Sequence, residues 1–359
     1  NAADNITLNS TRLNGTVNPN GVNVTSCYFQ YGTSTSYGIT ATVTSLPSGT
    51  IPVSVTANVS SLLATTTYNF RVAATSAAGT TNGNNLTFIT TVATFTITFN
   101  PTSTGRTGNI TTWTVTATGV YRIEVWGAQG GNGNSLTGGL GARMRGDFNL
   151  TTNDQIRILV GQQGLNAGSA QTYGGNGGGG GTFVQNQTTS TLLIAAGGGG
   201  GAGGNGSGQN GYNGLTEQSG GTGGGGTSGA GGTNGQGGGR GNYAGGGAGW
   251  LSNGVTNVDG GGSTYNNFGG IRFLEGGYGG DEGSDVYSGW GGNYGGFGGG
   301  GAGGLSGGGG GGYSGGGGGG GWSPGYAGGG GGSYNNGTNQ SNSAGVRQGA
   351  GLVTITFNP

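Results

Sequence analysis

The sequence predicts an all-β protein in two parts. A small β-sandwich occupies residues 1–91. A second β-sandwich, residues 92–359, carries an inserted bundle of extended glycine helices. Three observations lead to this expectation. Apolar and polar residues alternate at period two in short runs bounded by turn residues, as half-buried strands do. Glycine supplies 102 of the 359 residues, yet only ten of them precede Gly127. Strand patterns then bracket the glycine, the last being "GLVTITF" at 351–357, so the glycine lies within a β-domain.

The first part reads element by element. "VTSCYFQYG" (24–32) puts Cys27, Phe29 and Tyr31 on one face. "SVTANV" contributes Val55, Ala57 and Val59. Residues 65–91 read as two strands around an Ala-Gly turn, with Tyr68, Phe70 and Val72 inward and Asn69 and Arg71 outward. The Leu62–Leu63 pair ahead of Tyr68 resembles the tyrosine corner of immunoglobulin-like sandwiches. With "LNGTVNPNG", "CYFQYGTSTSYG" and "VSVTANVSSLLATTTYNFRVAATSAAGTTNG", most of residues 6–91 is similar to a bacterial fibronectin type III module. That resemblance implies an immunoglobulin-like (fibronectin III-type) sandwich serving as a spacer, and it supplies no catalytic residue.

In the second part, strands are expected over about 94–195 and 351–357, with the glycine bundle over about 197–349. "YRIEVW" (121–126) points Tyr121, Ile123 and Val125 one way before Gly127 begins the change in composition. "MRGDFNLTTNDQIRILVGQQG" (144–164) and "TLLIAAGGGGGAGG" (191–204) repeat the strand-to-glycine transition. Glycine disfavours helix by about 1 kcal/mol per position relative to Ala. It also leaves nothing to pack on the faces of a sheet. Polyproline II geometry remains, three residues per turn at a rise of about 3.1 Å. Without side chains such helices approach closely and bond through their backbones, with Cα–H···O contacts adding to the attraction.

The opposing term is backbone ordering, about 1–2 kcal/mol per residue, so a lone glycine strand stays disordered. The runs 197–204, 220–232, 298–304, 307–312, 315–321 and 328–332 are therefore expected to form one cooperative bundle, with "YSGW" (287–290) and "WSPG" (322–325) as turns. A disordered glycine-rich region is the alternative.

The motifs "YRIEVWGAQGG", "GGLGARMRGDFNL", "IRILVGQQG", "GGNGGGGGTFV", "LLIAAGGGGGAG" and "GGFGGGGAGG" resemble the glycine-rich domain family over about residues 105–357. That family includes the extracellular glycine-rich domains of anaplastic lymphoma kinase and leukocyte tyrosine kinase and many bacterial surface proteins. The resemblance implies a β-sandwich from which polyglycine II helices project. In the receptors the region helps bind a cytokine. No residue here justifies carrying that site over, and the receptor cysteines are absent.

Composition narrows function. Only 6% of residues are charged, the formal net charge is zero, and all ten basic residues are Arg. Nucleic-acid binding and polybasic membrane attachment need clustered cations, and none cluster here. No window reaches the length of a membrane span. Residue 1 is Asn, which suggests a processed or trimmed start. The single cysteine, Cys27, reads as a small buried hydrophobe. With no His, the commonest general base and every Ser-His or Cys-His pair are missing.

Several candidate sites stand beside plainer readings. Arg145–Gly146–Asp147 spells an adhesion triplet, or strand residues in a chance order. "GDEGSDVYSG" groups Asp281, Glu282 and Asp285, a set of oxygens suited to Ca²⁺ but off any EF-hand spacing; a solvated acidic turn is the alternative. The same carboxylates are the best available for glycosidase chemistry. Windows matching G-x-G-x-x-G carry no information in so glycine-rich a chain. Trp250, Tyr287, Trp290, Tyr313, Trp322 and Tyr326 sit between glycine runs. They either wedge the bundle or present rings for sugars or a neighbouring subunit.

Asn-x-Ser/Thr sequons (Asn5, Asn14, Asn23, Asn58, Asn85, Asn109, Asn149, Asn186) fit an exported protein. "FTITFNP" (95–101) nearly repeats as "VTITFNP" (353–359), either two strands of one sheet or a module junction. The expected function is that of an extracellular, non-enzymatic structural or adhesive surface protein, as a filament subunit or modular array. The alternatives are an adhesin recognising cell-surface glycans or a receptor, as phage tail-tip adhesins with similar glycine bundles do, and ice binding. No cofactor is expected beyond the Ca²⁺ candidate.

Overall fold

The computed structural model describes residues 1–133, 135–166, 174–204, 208–256, 268–281, 293–321 and 324–358. Among them the regular structure is antiparallel β-sheet, with one short 3₁₀ turn at Phe273–Glu275. The chain divides into two compact units, Asn1–Thr94 and Phe95–Asn358.

The first unit holds β1 (Thr11–Val17), β2 (Val24–Gly32), β3 (Ile39–Thr42), β4 (Val53–Val59), β5 (Thr67–Ser76), β6 (Gly79–Asn82) and β7 (Leu86–Ile89). β1 pairs with β4. The second sheet runs β3-β2-β5, and β6 and β7 pair with successive halves of β5. Period-two alternation decides which residues go inside. Cys27, Phe29 and Tyr31 from β2, Tyr68 and Phe70 from β5, and Val55, Ala57 and Val59 from β4 are all buried, joined by Leu13 and Phe88. Leu62 is buried while Leu63 is exposed. The Leu63 N–H donates to the Tyr68 hydroxyl at 3.0 Å, tying the chain crossing to the strand that follows.

The second unit holds β8 (Phe95–Phe99), β9 (Thr111–Thr114), β10 (Gly119–Trp126), β11 (Gly141–Leu150), β12 (Gln155–Leu159), β13 (Thr182–Asn186), β14 (Thr191–Ala196), β15 (Tyr334–Asn335), β16 (Ser343–Arg347) and β17 (Leu352–Asn358). They form two five-stranded sheets, ordered β16-β11-β10-β17-β8 and β15-β14-β13-β12-β9. β10 and β11 lie against β13 and β14. Tyr121, Ile123, Val125, Met144, Val353 and Ile355 from the first sheet and Ile156, Ile158, Val184 and Ile194 from the second are buried.

The two near-identical heptapeptides are neighbours in one sheet. β8 pairs antiparallel with β17, with Ile97 opposite Ile355. β15 and β16 are strands lying within the stretch 197–349 that was expected to be glycine bundle.

β13 and β14 are buried almost throughout, which explains why "TLLIAA" lacks polar alternation. Their second face carries Phe183, Leu192 and Ala195, with Leu159 from the end of β12. Phe273 and Phe297 from the glycine-rich part complete that cluster. Among the described residues helix is nearly absent, because no long stretch of the chain has an apolar pattern at period 3.6. No helix among the described residues is long and apolar enough to cross a membrane.

Candidate functional site

The feature that sets this molecule apart is the packing of its glycine segments. Strand ends run directly into them: β10 into 127–131, β12 into 160–164, β14 into 197–204, while 175–181 leads into β13. Along 198–203 successive N–H groups turn to different neighbours. Gly198 donates to Gly311, Gly199 to Ala128, and Gly200 to Tyr212. The cycle then repeats, Gly201 to Gly308, Ala202 to Gly131, and Gly203 to Gln209, all between 2.8 and 3.1 Å.

The carbonyls do the same toward three further segments. Gly198 and Gly201 accept from Gly331 and Gly328, Gly199 and Ala202 from Gly179 and Asn176, and Gly197 and Gly200 from Ala142 and Gly139. One segment is thus bonded to six others. Residues 307–312 follow the same rule: 307 and 310 donate to 326 and 329, 308 and 311 to 176 and 179, and 309 and 312 to 245 and 248. Bonds from Gly301 to Gly309 and from Gly317 to Gly221 bring in the other three of the six anticipated runs. Runs not anticipated also join, at 127–131, 138–142, 175–181, 208–214 and 236–249.

Close approach explains the composition. A Cβ added at Gly199 would fall onto the Gly139 carbonyl, and one at Gly316 onto the Gly329 carbonyl. Where a side chain does enter, it replaces a backbone group. Ser314 and Ser333, both fully buried, accept from the N–H groups of Gly235 (3.0 Å) and Gly197 (2.9 Å). Asn176 and Asn293, also buried, donate to the Ala202 and Gly175 carbonyls. Sequence reasoning passed over these residues; the available signal was a lone Ser or Asn set in a glycine run.

Of the ring candidates, Trp250, Tyr313 and Tyr326 are described; Tyr287, Trp290 and Trp322 lie outside the described residues. Trp250 is half-buried, stacked on Phe273 at 5.2 Å between ring centres and 6.2 Å from Phe183. Tyr313 stacks on Tyr334 at 4.8 Å. Both rings pack onto the cluster over β12–β14, so they act as wedges between sheet and glycine. The half-buried Tyr326 lies over the backbone of Gly225 and Gly321.

Of the three acidic candidates, one is described. Asp281 forms an ion pair with Arg106 at 3.0 Å, while Glu282 and Asp285 lie outside the described residues. No group of three or more His, Cys, Asp or Glu able to hold a metal occurs among the described residues. The adhesion triplet is strand: Arg145, Gly146 and Asp147 are residues of β11, opposite Glu124, Ile123 and Arg122. Asp147 is largely buried and accepts from Arg122 Nε (2.9 Å) and Asn339 Nδ2 (3.0 Å). The Arg122 hydrogen bond holds its carboxyl below the ordinary carboxylate range, with burial opposing and Asn339 assisting. A presented loop would leave that carboxylate free, and here it is committed. Burial pushes the Cys27 thiol up, which keeps it protonated and unreactive.

Two hollows were not legible in the sequence. One, about 350 Å³, opens in the first unit beside Val17, Val22, Val24, Val72 and Ala74. The other, about 290 Å³, is lined by Ser103, Thr104, Gln162, Gln163 and Leu165. Gln162 there donates to Ser103 Oγ and the Thr107 carbonyl, both at 3.0 Å. No family model matches the chain.

Proposed function

We propose that this chain is an extracellular structural or adhesive surface protein without enzymatic activity. In this reading a fibronectin type III-like sandwich acts as a spacer, and a polyglycine II bundle held on a β-sandwich makes a rigid, chemically inert body that self-associates. The observation that carries the reading is the repeat of hydrogen-bond partners every third residue along 198–203 and 307–312, with six neighbours around each segment. A three-residue turn spaces successive N–H groups about 120° apart, which is what such a pattern requires.

Two further facts support it. Five carboxylates (Asp4, Glu124, Asp147, Glu275 and Asp281) are engaged by Arg, so their charge goes into holding elements together. Low charge and near-complete backbone pairing leave proteases few extended segments to bind. The glycan-adhesin reading draws no support from Trp250 and Tyr313, whose rings are in the packing. Electron microscopy of the purified chain tests the proposal: ordered fibres or arrays are expected, and a uniform field of monomers at high protein concentration would count against it.

A further inference from the structure

The edge of the first sheet in the second unit is left open in an unusual way. β8 is its last strand, and among the described residues its only strand partner is β17. Among the described residues no other backbone hydrogen bond engages residues 95–99. Sheet edges are templates for another chain, and proteins blunt them with charge, Pro, bulges or brevity. The opposite edge of this sheet is blunted: β16 carries Arg347, and its pairing with β11 shifts register between Gly141 and Arg143. β8 carries no charge, no Pro and no bulge. Its sequence is Phe-Thr-Ile-Thr-Phe, and no charged residue occurs anywhere between Arg71 and Arg106.

The strand already seated beside β8 shows what fits there. β17 carries the same Thr-Ile-Thr-Phe, and the two run antiparallel about Ile97 and Ile355. Phe95 faces Phe357, Thr96 faces Thr356, and Thr98 faces Thr354. The Thr96 and Thr356 hydroxyls bond at 2.9 Å, and the Phe95 and Phe357 rings lie 5.5 Å apart. The ladder is therefore self-complementary. A second β8, set antiparallel with its Ile97 opposite the first, would repeat the Ile–Ile and Thr–Thr pairs that this sheet already accommodates. Thr96 and Thr98 are exposed, and the half-buried Phe95, Ile97 and Phe99 would bury further on pairing.

We propose that β8 is an assembly edge at which a second copy of this chain adds its own β8 antiparallel, across a two-fold axis at Ile97, to make one continuous ten-stranded sheet. The interface is isologous, as a two-fold contact must be, and its affinity comes from main-chain bonds with side-chain pairs setting the register. It rests on the self-association reading only in that the partner is another copy of the chain.

The two-fold puts Thr96 of one copy opposite Thr98 of the other, which allows a test by charge pairing. Thr96→Lys/Thr98→Lys sets ammonium against ammonium at both pairs. Thr96→Lys/Thr98→Glu sets ammonium against carboxylate. Sedimentation velocity of the intact chain should show the first variant weakened about tenfold or more and the second restored to near wild type, since like charges directly opposite destabilise and opposite charges stabilise. Circular dichroism and melting compare the folding of the two variants. In an independent arm, oxidised Ile97→Cys should give a disulfide-linked dimer, because the cysteines meet on the axis and Cys27 is buried.

Equal association of wild type and the double-Lys variant, with no Ile97→Cys dimer, would overturn the edge while leaving self-association standing. A wild type that stays monomeric at every concentration would overturn both.

Discussion

At the scale of single residues, electrostatics here is structural. Asp147 sits directly across the ladder from Arg122, is largely buried, and is held below its ordinary value by that partner. A carboxyl whose folded value lies below its unfolded one binds its proton more readily when the chain unfolds. Its contribution is therefore complete above the unfolded value, about 3.9, and is lost as pH falls from there through the folded value. Asp147→Asn should cost about 2 kcal/mol at pH 7, since it leaves Arg122 without its charge partner and weakens the bond to Asn339. The gap to wild type should close as pH falls below about 4. Denaturant titrations of both proteins at neutral and acid pH check this. A gap that is constant with pH would mean that the side chain acts through packing alone.

At the scale of elements, the glycine runs behave oppositely to ordinary loops: what matters is the absence of a side chain. Gly199→Ala drives a methyl into the Gly139 carbonyl of a neighbouring segment. It should cost about 3 kcal/mol or more, the upper range of overpacking, because backbone on every side cannot swing away as a side chain does. A methyl at Gly226 would meet nothing within 4 Å, and φ there is ordinary, so Gly226→Ala should be near neutral. Thermal melts of the two variants separate a packed bundle from slack chain, in which both would be silent.

The strands and their inward faces were legible because alternation at period two is a local signal: Cys27, Phe29 and Tyr31, or Tyr121, Ile123 and Val125, declare their side by spacing alone. The glycine-rich stretch was legible as ordered from its position between strands. Which runs join was not, because glycine carries no side-chain pattern. Segments such as 175–181 and 208–214 gain their place only through partners far along the chain. Which of the two readings applies to a ring such as Trp250 was not legible for a related reason. Trp250 next to glycine is compatible with an exposed tip, whereas its ring neighbours Phe183 and Phe273 come from elsewhere in the sequence.

At the scale of the whole molecule, the second unit has two kinds of interior. Between its sheets lie ordinary side chains; in the glycine region the interior is mostly backbone. Burial of apolar side chains contributes little to the latter, so its order must come from paired amides and close contact, each modest alone. Such an assembly is stable only as a network, and its connectivity is that of a network. Segment 198–203 holds six others, and segment 307–312 holds several of the same ones, including 176–179 and 326–329. Releasing any inner segment strands bonding groups on several neighbours at once, and unpaired buried amides are costly. Partial opening is therefore disfavoured relative to opening everything. Amide hydrogen exchange on the intact chain should show residues 198–203, 307–312 and 316–320 exchanging together, at rates set by unfolding of the whole unit. The turn around Gly226 should exchange orders of magnitude faster. Independent, rapid exchange of the inner segments would mean that the bundle is not cooperative, and the rigid-body function proposed for it would fall with that result.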